Sequence, residues 1–103
     1  MLTNAFSFNM LPAGFTGAVH IRPATAEEAR DALLRGGSAV GHADTAAIFS
    51  IALGRTVPAI RRTVLFRKGD SFIVGQYRGE RLPPGVTSLP DGAAIEWMAI
   101  TVG

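Results

Sequence analysis

Apolar residues fall in short blocks along this chain, and the spacing inside each block predicts an element. Leu2–Phe6 predicts a short buried strand that ends in a polar turn carrying Ser7 and Asn9. Phe15–Ile21 predicts a second strand, stopped by Pro23. Thr25 then opens a helix. Thr25 and Glu28 form a capping box, in which each side chain satisfies the other's exposed backbone N–H. Ala26, Ala29, Leu33 and Leu34 recur at helical spacing, and Gly36-Gly37 ends the run. Ser38–Gly41 predicts another short buried strand. A helix over Ala46–Leu53 follows, closed by Gly54. Arg61–Lys68 and Ser71–Arg78 predict an antiparallel pair joined by a two-residue turn at Gly69-Asp70. Gly79–Pro90 is a loop with three prolines, and Ala93–Val102 is a last strand.

The order is thus β-β-α-β-α-β-β-β. A strand, a helix and a strand in succession imply at least one parallel pair, and the hairpin adds an antiparallel section. The expected fold is α/β, a mixed parallel/antiparallel sheet flanked by helices, built as one domain over residues 1–103. A hydrophobic fraction of 48% against 17% charged residues excludes intrinsic disorder. So low a charge also implies that part of the surface is apolar, as in the interface of a homodimer. No apolar run approaches ~18 residues, so no membrane segment is expected. The opening Met1–Leu11 has no Lys or Arg ahead of an apolar core, unlike a secretory signal, and a cytoplasmic protein is expected. The chain has no cysteine and two histidines, His20 and His42, which leaves too few soft ligands for a zinc site. A metal-independent protein without a cofactor is the expectation.

The charges are unevenly spread. Of ten basic residues, nine are Arg, and seven lie between Arg55 and Arg81, against Asp70 and Glu80 in the same stretch. Guanidinium forks match phosphate oxygens bidentately, so the bias suits an anionic ligand. It equally suits a GC-rich or thermophilic genome. In a hairpin closed at Gly69-Asp70, Arg61 and Arg78 fall roughly opposite each other, a like-charged pair that an anion between them would relieve. Otherwise the two splay into solvent.

His42 follows a short strand and precedes a helix. Turns at the carboxyl ends of strands are where α/β sheets bind ligands, and a helix start offers unpaired N–H groups to phosphate. Gly41 permits close backbone approach, and His42 can give or take a proton near neutral pH. On the plainer reading His42 only begins the helix, with Asp44 or Thr45 as its cap. Asn4, Ser7 and Asn9 can bond a base edge or a phosphate, or can simply hold a turn. His20 reads as a structural or edge residue. Phosphate-loop, dinucleotide-binding, nucleophile-elbow and HExxH patterns are all lacking.

Three blocks in order resemble one family. Leu2–Leu11 (LTNAFSFNML) resembles the opening of the viral anti-CRISPR ring nucleases of type III systems, which reads close to LANAFSINML. Ser38–Thr45 (SAVGHADT) resembles that family's S-[AI]-[IV]-G-H-x-[AS]-T segment. Val74-Gly75-Gln76 and Arg81-Leu82-Pro83-Pro84-Gly85 resemble V-x-Q…R-L-x-E-G. Members of that family are small dimers that bind cyclic tetra-adenylate across the dimer interface and cut it to linear di-adenylate without metal. The resemblance implies that His42 is the general acid. Asn4, Ser7, Gly41, Arg61, Gln76 and Arg81 would contact the ligand. No duplex nucleic acid and no membrane is expected as partner. Two departures stand out. The family's catalytic glutamate position is Pro84 here, and Gln76 to Arg81 is one residue longer. Glu80 is the candidate to supply the missing carboxylate. A binding protein that sequesters a cyclic oligonucleotide, and an interaction dimer with no nucleotide ligand, are the alternatives.

Overall fold

The computed structural model describes residues 1–86 and 88–103. Among these residues five strands form one sheet: β1 (Leu2–Thr3), β2 (Val19–Ala24), β3 (Ser38–Ala39), β4 (Ser71–Arg78) and β5 (Ala94–Val102). Their spatial order is β2-β5-β4-β1-β3. β1 pairs parallel with both β3 and β4, and β5 pairs antiparallel with β4 and β2. The sheet is therefore mixed, as the element order implied. Two helices, α1 (Ala26–Gly36) and α2 (Ala43–Leu53), pack on one of its faces.

Residue alternation along the strands builds two cores. Leu2, Ile73, Trp97 and Ala99 meet Ala29 and Leu33 of α1 and Ala46, Phe49 and Leu53 of α2. On the opposite face Phe72, Val74, Ile100 and Val102 are covered without an α-helix, by Phe6, Met10, Leu11 and Phe15 from the segment after β1 and by Phe66. Phe66 lies flat on Phe72, with ring centroids 3.7 Å apart.

The capping box opens α1 as predicted. Thr25 Oγ1 accepts from the Glu28 N–H at 3.1 Å, and Glu28 Oε1 accepts from the Thr25 N–H at 3.3 Å. Glu27 and Glu28 in the first turn and Arg35 in the last suit the helix dipole. Glu28 also accepts from Arg22 at 2.7 Å. That guanidinium, helped by the Thr25 backbone N–H, holds the Glu28 carboxyl below its ordinary value. A carboxyl depressed in the folded state adds stability above its unfolded pKa, and the contribution disappears as pH falls through the folded pKa. Glu28→Gln is thus expected to flatten the acid-side fall of the melting temperature, by a small amount because the pair is exposed. A thermal melt series from neutral to acid pH checks this, and an unaltered slope counts against it.

Three expectations are corrected. First, Arg61–Lys68 is not a strand and forms no hairpin with Ser71–Arg78. Both edges of β4 are already taken, by β5 on one side and β1 on the other. The alternation of Val64 and Phe66 that reads as a strand instead lays these side chains over the second core. A turn does form, one residue earlier than expected, with Lys68 and Gly69 at its centre and Asp70 N–H donating to Arg67 O at 3.0 Å, but it only feeds β4. Second, Arg61 and Arg78 do not face each other. Arg78 stands opposite Ala94 and pairs with Glu96 at 2.8 Å. Third, β2 continues through Pro23 to Ala24. It lies at the sheet edge, where one row of backbone donors has no partner to lose. His20 is exposed on this same strand.

Candidate functional site

The parallel strands fix where the site can form. Thr3 is level with Ala39 on one side and Val74 on the other. The residues that follow, Asn4 after β1, Val40-Gly41-His42 after β3 and Gly75 in β4, therefore gather at one end of the sheet. This is the carboxyl end of the parallel strands, where open α/β sheets place ligands.

His42 is the N-cap of α2, with an extended backbone and no side-chain capping bond. Its imidazole is exposed and has no structural duty at the helix start. Neither Asp44 nor Thr45 caps this helix, because the helix begins earlier than the hydrophobic run does. The C-terminal end matches expectation, with Gly54 in the left-handed conformation.

Arg61 arrives beside Gly41 through a buried hydroxyl relay. Ser38 Oγ donates to Pro58 O at 2.7 Å and accepts from Val40 N–H at 3.1 Å. Ser50 Oγ accepts from Val57 N–H at 2.8 Å. These bonds lay Val57–Ile60 along β3, with a parallel bridge between Val40 and Ala59 and a 2.9 Å bond from Ile60 N–H to Val40 O. The next residue is Arg61. A Cβ built on Gly41 would stand 3.7 Å from Arg61 Cα, an ordinary contact. Gly41 is thus not required by crowding.

The loop after β4 closes the site from the other side. Tyr77 Oη donates to Glu80 O at 2.6 Å, and Gly85 N–H donates to Asp44 Oδ2 at 3.0 Å. Pro83–Val86 is a tight turn in which Val86 N–H reaches Pro83 O at 3.3 Å. Pro84 supplies the fixed φ of its second position, and Gly85, at φ +84°, supplies the left-handed third. Beneath the loop is a cavity of about 600 Å³, walled by His42, Asp44, Phe49, Tyr77, Arg81 and Pro84 among others. Its floor is apolar, and its rim carries one imidazole, one carboxylate and one guanidinium.

The predicted residues separate into two groups. His42 and Arg81 share the cavity, and Gly41, Arg61 and Asn4 lie at the same end of the sheet. Ser7, Gln76 and Glu80 are not brought to the cavity wall. Ser7 leads into a short 3₁₀ turn, Phe8–Met10. Gln76 follows Phe72 and Val74 onto the face away from the helices, and its Nε2 donates to Tyr77 O at 3.4 Å. Glu80 borders a neighbouring cavity, which shares Tyr77, Arg81, Leu82 and Pro83 with the first. Tyr77 and Asp44 are contributors that the sequence did not offer as ligand-site residues, Asp44 being offered only as a helix cap. Ion pairs among the described residues are Arg22–Glu28, Arg35–Asp31 and Arg78–Glu96, so Arg61 and Arg81 keep their charge for another anion.

Comparison with known proteins settles the relationship. A model of the STIV B116-like family matches residues 1–95, nearly the whole chain and every residue named on the cavity wall. The chain belongs to the STIV B116-like family. Among solved structures it is similar to B116 of Sulfolobus turreted icosahedral virus, with 26% identity and a TM-score of 0.76, covering 97% of this chain and 96% of that one. No curated protein matches the chain. Membership in the STIV B116-like family fixes the α/β fold and links it to an archaeal-virus protein. No helix among the described residues is long and apolar enough to cross a membrane.

Proposed function

We propose that this protein is a metal-independent ring nuclease that cuts cyclic tetra-adenylate to linear di-adenylate, and that it acts as an anti-CRISPR against type III immunity in the cytoplasm of the host cell. The observation that carries the reading is the shared cavity of His42 and Arg81 at the carboxyl ends of β1, β3 and β4. Its parts suit an in-line displacement. The ribose 2′-OH attacks the adjacent phosphorus, the bond from phosphorus to the 5′ oxygen breaks, and His42 delivers a proton to that departing oxygen. The 2′ proton leaves to water. The products carry a 2′,3′-cyclic phosphate and a 5′-OH, and no water is consumed. Arg81 and Arg61 balance the charge on the phosphates.

A pair of subunits is part of the proposal. The cavity of one subunit, about 600 Å³, lies in the usual range for a small ligand. Two copies facing each other about a two-fold axis would give the ring two such cavities and two imidazoles, one per pair of adenylates.

One observation favours a second reading, a protein that binds the ring and cuts slowly or not at all. Pro84 walls the cavity where the resemblance puts a carboxylate, and Glu80 borders the neighbouring cavity. Incubating the protein with radiolabelled cyclic tetra-adenylate in EDTA separates the two. Linear product supports the nuclease, a gel shift without product supports sequestration, and no shift rejects both. Arg61→Ala and Arg81→Ala are each expected to weaken binding about tenfold or more, the usual worth of a charge-assisted hydrogen bond. Unchanged affinity in both variants would move the phosphates elsewhere.

A further inference from the structure

Arg81 lies on an exposed loop, yet a residue that must meet a phosphate cannot wander. The chain between β4 and the turn at Pro83–Val86 has two side-chain anchors among the described residues. One is Tyr77 Oη on Glu80 O, just before Arg81. The other is Asp44 Oδ2 on Gly85 N–H, a bond between residues 41 positions apart in the chain. Arg81, Leu82, Pro83 and Pro84 hang between them. Two consecutive prolines stiffen this span further, since each fixes its own φ. The turn itself aims the Gly85 N–H: with Val86 N–H bonded to Pro83 O, the Gly85 N–H projects outward, and Asp44 on the first turn of α2 receives it.

We infer that Asp44 is a positioning residue, whose carboxylate latches the Pro84-Gly85 turn to α2 and thereby holds Arg81 at the rim of the His42 cavity. The proposal rests on the reading of that cavity as the ligand site. It assigns Asp44 a role through Arg81 rather than on the reacting atoms. The same side chain that the sequence offers as a helix cap is used here to fasten a loop, while the cap position falls to His42.

The test uses two replacements that differ in one property. Asp44→Asn keeps an oxygen able to accept from Gly85 N–H and removes the charge, whereas Asp44→Ala removes both. Amide hydrogen exchange read by NMR on the unliganded protein comes first. Gly85 N–H is expected to exchange at least about tenfold faster in Asp44→Ala than in the wild type, and close to the wild-type rate in Asp44→Asn. Equal rates in all three overturn the latch. Affinity for cyclic tetra-adenylate comes second. Asp44→Ala is expected to weaken binding about as much as Arg81→Ala, the double variant no more than either alone, and Asp44→Asn to rescue. Fully additive losses overturn the action through Arg81. If Asp44→Asn binds as poorly as Asp44→Ala, the charge rather than the bond matters, and the positioning role is rejected. A wild-type protein that binds no cyclic tetra-adenylate sinks the proposed function instead, and the Gly85 exchange rates still decide whether Asp44 holds the loop.

Discussion

His42→Ala is expected to slow cleavage of cyclic tetra-adenylate about 10²–10⁴-fold, the usual worth of a general acid, while binding and folding stay near the wild type. The separation is sharper than for most histidine replacements. The His42 imidazole makes no capping bond at the start of α2, so alanine there removes no structural hydrogen bond. The bonds that shape the site, Ser38 to Pro58 and Asp44 to Gly85, run through other residues. Single-turnover cleavage, a gel shift and a thermal melt read the three quantities apart. A chemical control strengthens the assignment. With sulfur in place of the bridging 5′ oxygen, the leaving group departs without a proton, so the variant should cut this analogue nearly as fast as the wild type does. A variant that cuts the natural ring at full speed would remove His42 from the reaction. One that stays slow on the sulfur analogue would assign it a role other than proton donation.

Elements whose cause is local were legible in the sequence. The Thr25–Glu28 capping box announces α1 because both partners lie within one turn, and Gly54 closes α2 because only its own backbone is involved. Element order implied at least one parallel pair, but not that β1 would sit between β3 and β4 and make both. The fate of Arg61–Lys68 was not legible, because it depends on competition for β4. Both β5 and β1 take its edges, and nothing within residues 61–68 records that. Alternation then marks contact with a core face just as well as it marks a strand.

Within the site, His42 was readable from its place between a strand and a helix. Arg61 reached the expected end of the sheet by an unexpected route. The sequence suggested a hairpin, whereas the buried hydroxyl of Ser38 and the bridge at Val40–Ala59 bring it there. Gln76 illustrates the opposite limit. Its strand was recognised, but its face depends on register, and a residue one step from Tyr77 points to the other side of the sheet. Asp44 did leave a trace. The pattern that Ser38–Thr45 resembles has a small residue at that position, and an acid in the first turn beyond His42 was the departure to pursue.

The largest loss of stability is expected where the floor of the cavity is also the centre of the core. Phe49 is fully buried and meets Trp97 edge to face, with ring centroids 5.1 Å apart. Phe49→Ala is expected to lower stability by about 3–5 kcal/mol, from lost transfer energy and from the void left behind. Gly75 faces the same two rings. A Cβ built there would come within 2.6 Å of both Phe49 Cζ and Trp97 Cζ3, nearer than real carbons approach. Gly75→Ala is therefore expected to cost about 1–3 kcal/mol by overpacking, although alanine suits a strand better than glycine does. The two changes are opposite in kind and share one space. In the double variant the added methyl enters the room vacated by the ring, so the combined loss should fall below the sum of the single losses by about 1 kcal/mol or more. Urea unfolding of the four proteins completes the cycle. Strict additivity would mean that the Gly75 methyl is accommodated by backbone movement of β4, and the register that carries Tyr77 to the cavity wall would then be less rigid than the packing against Phe49 and Trp97 implies.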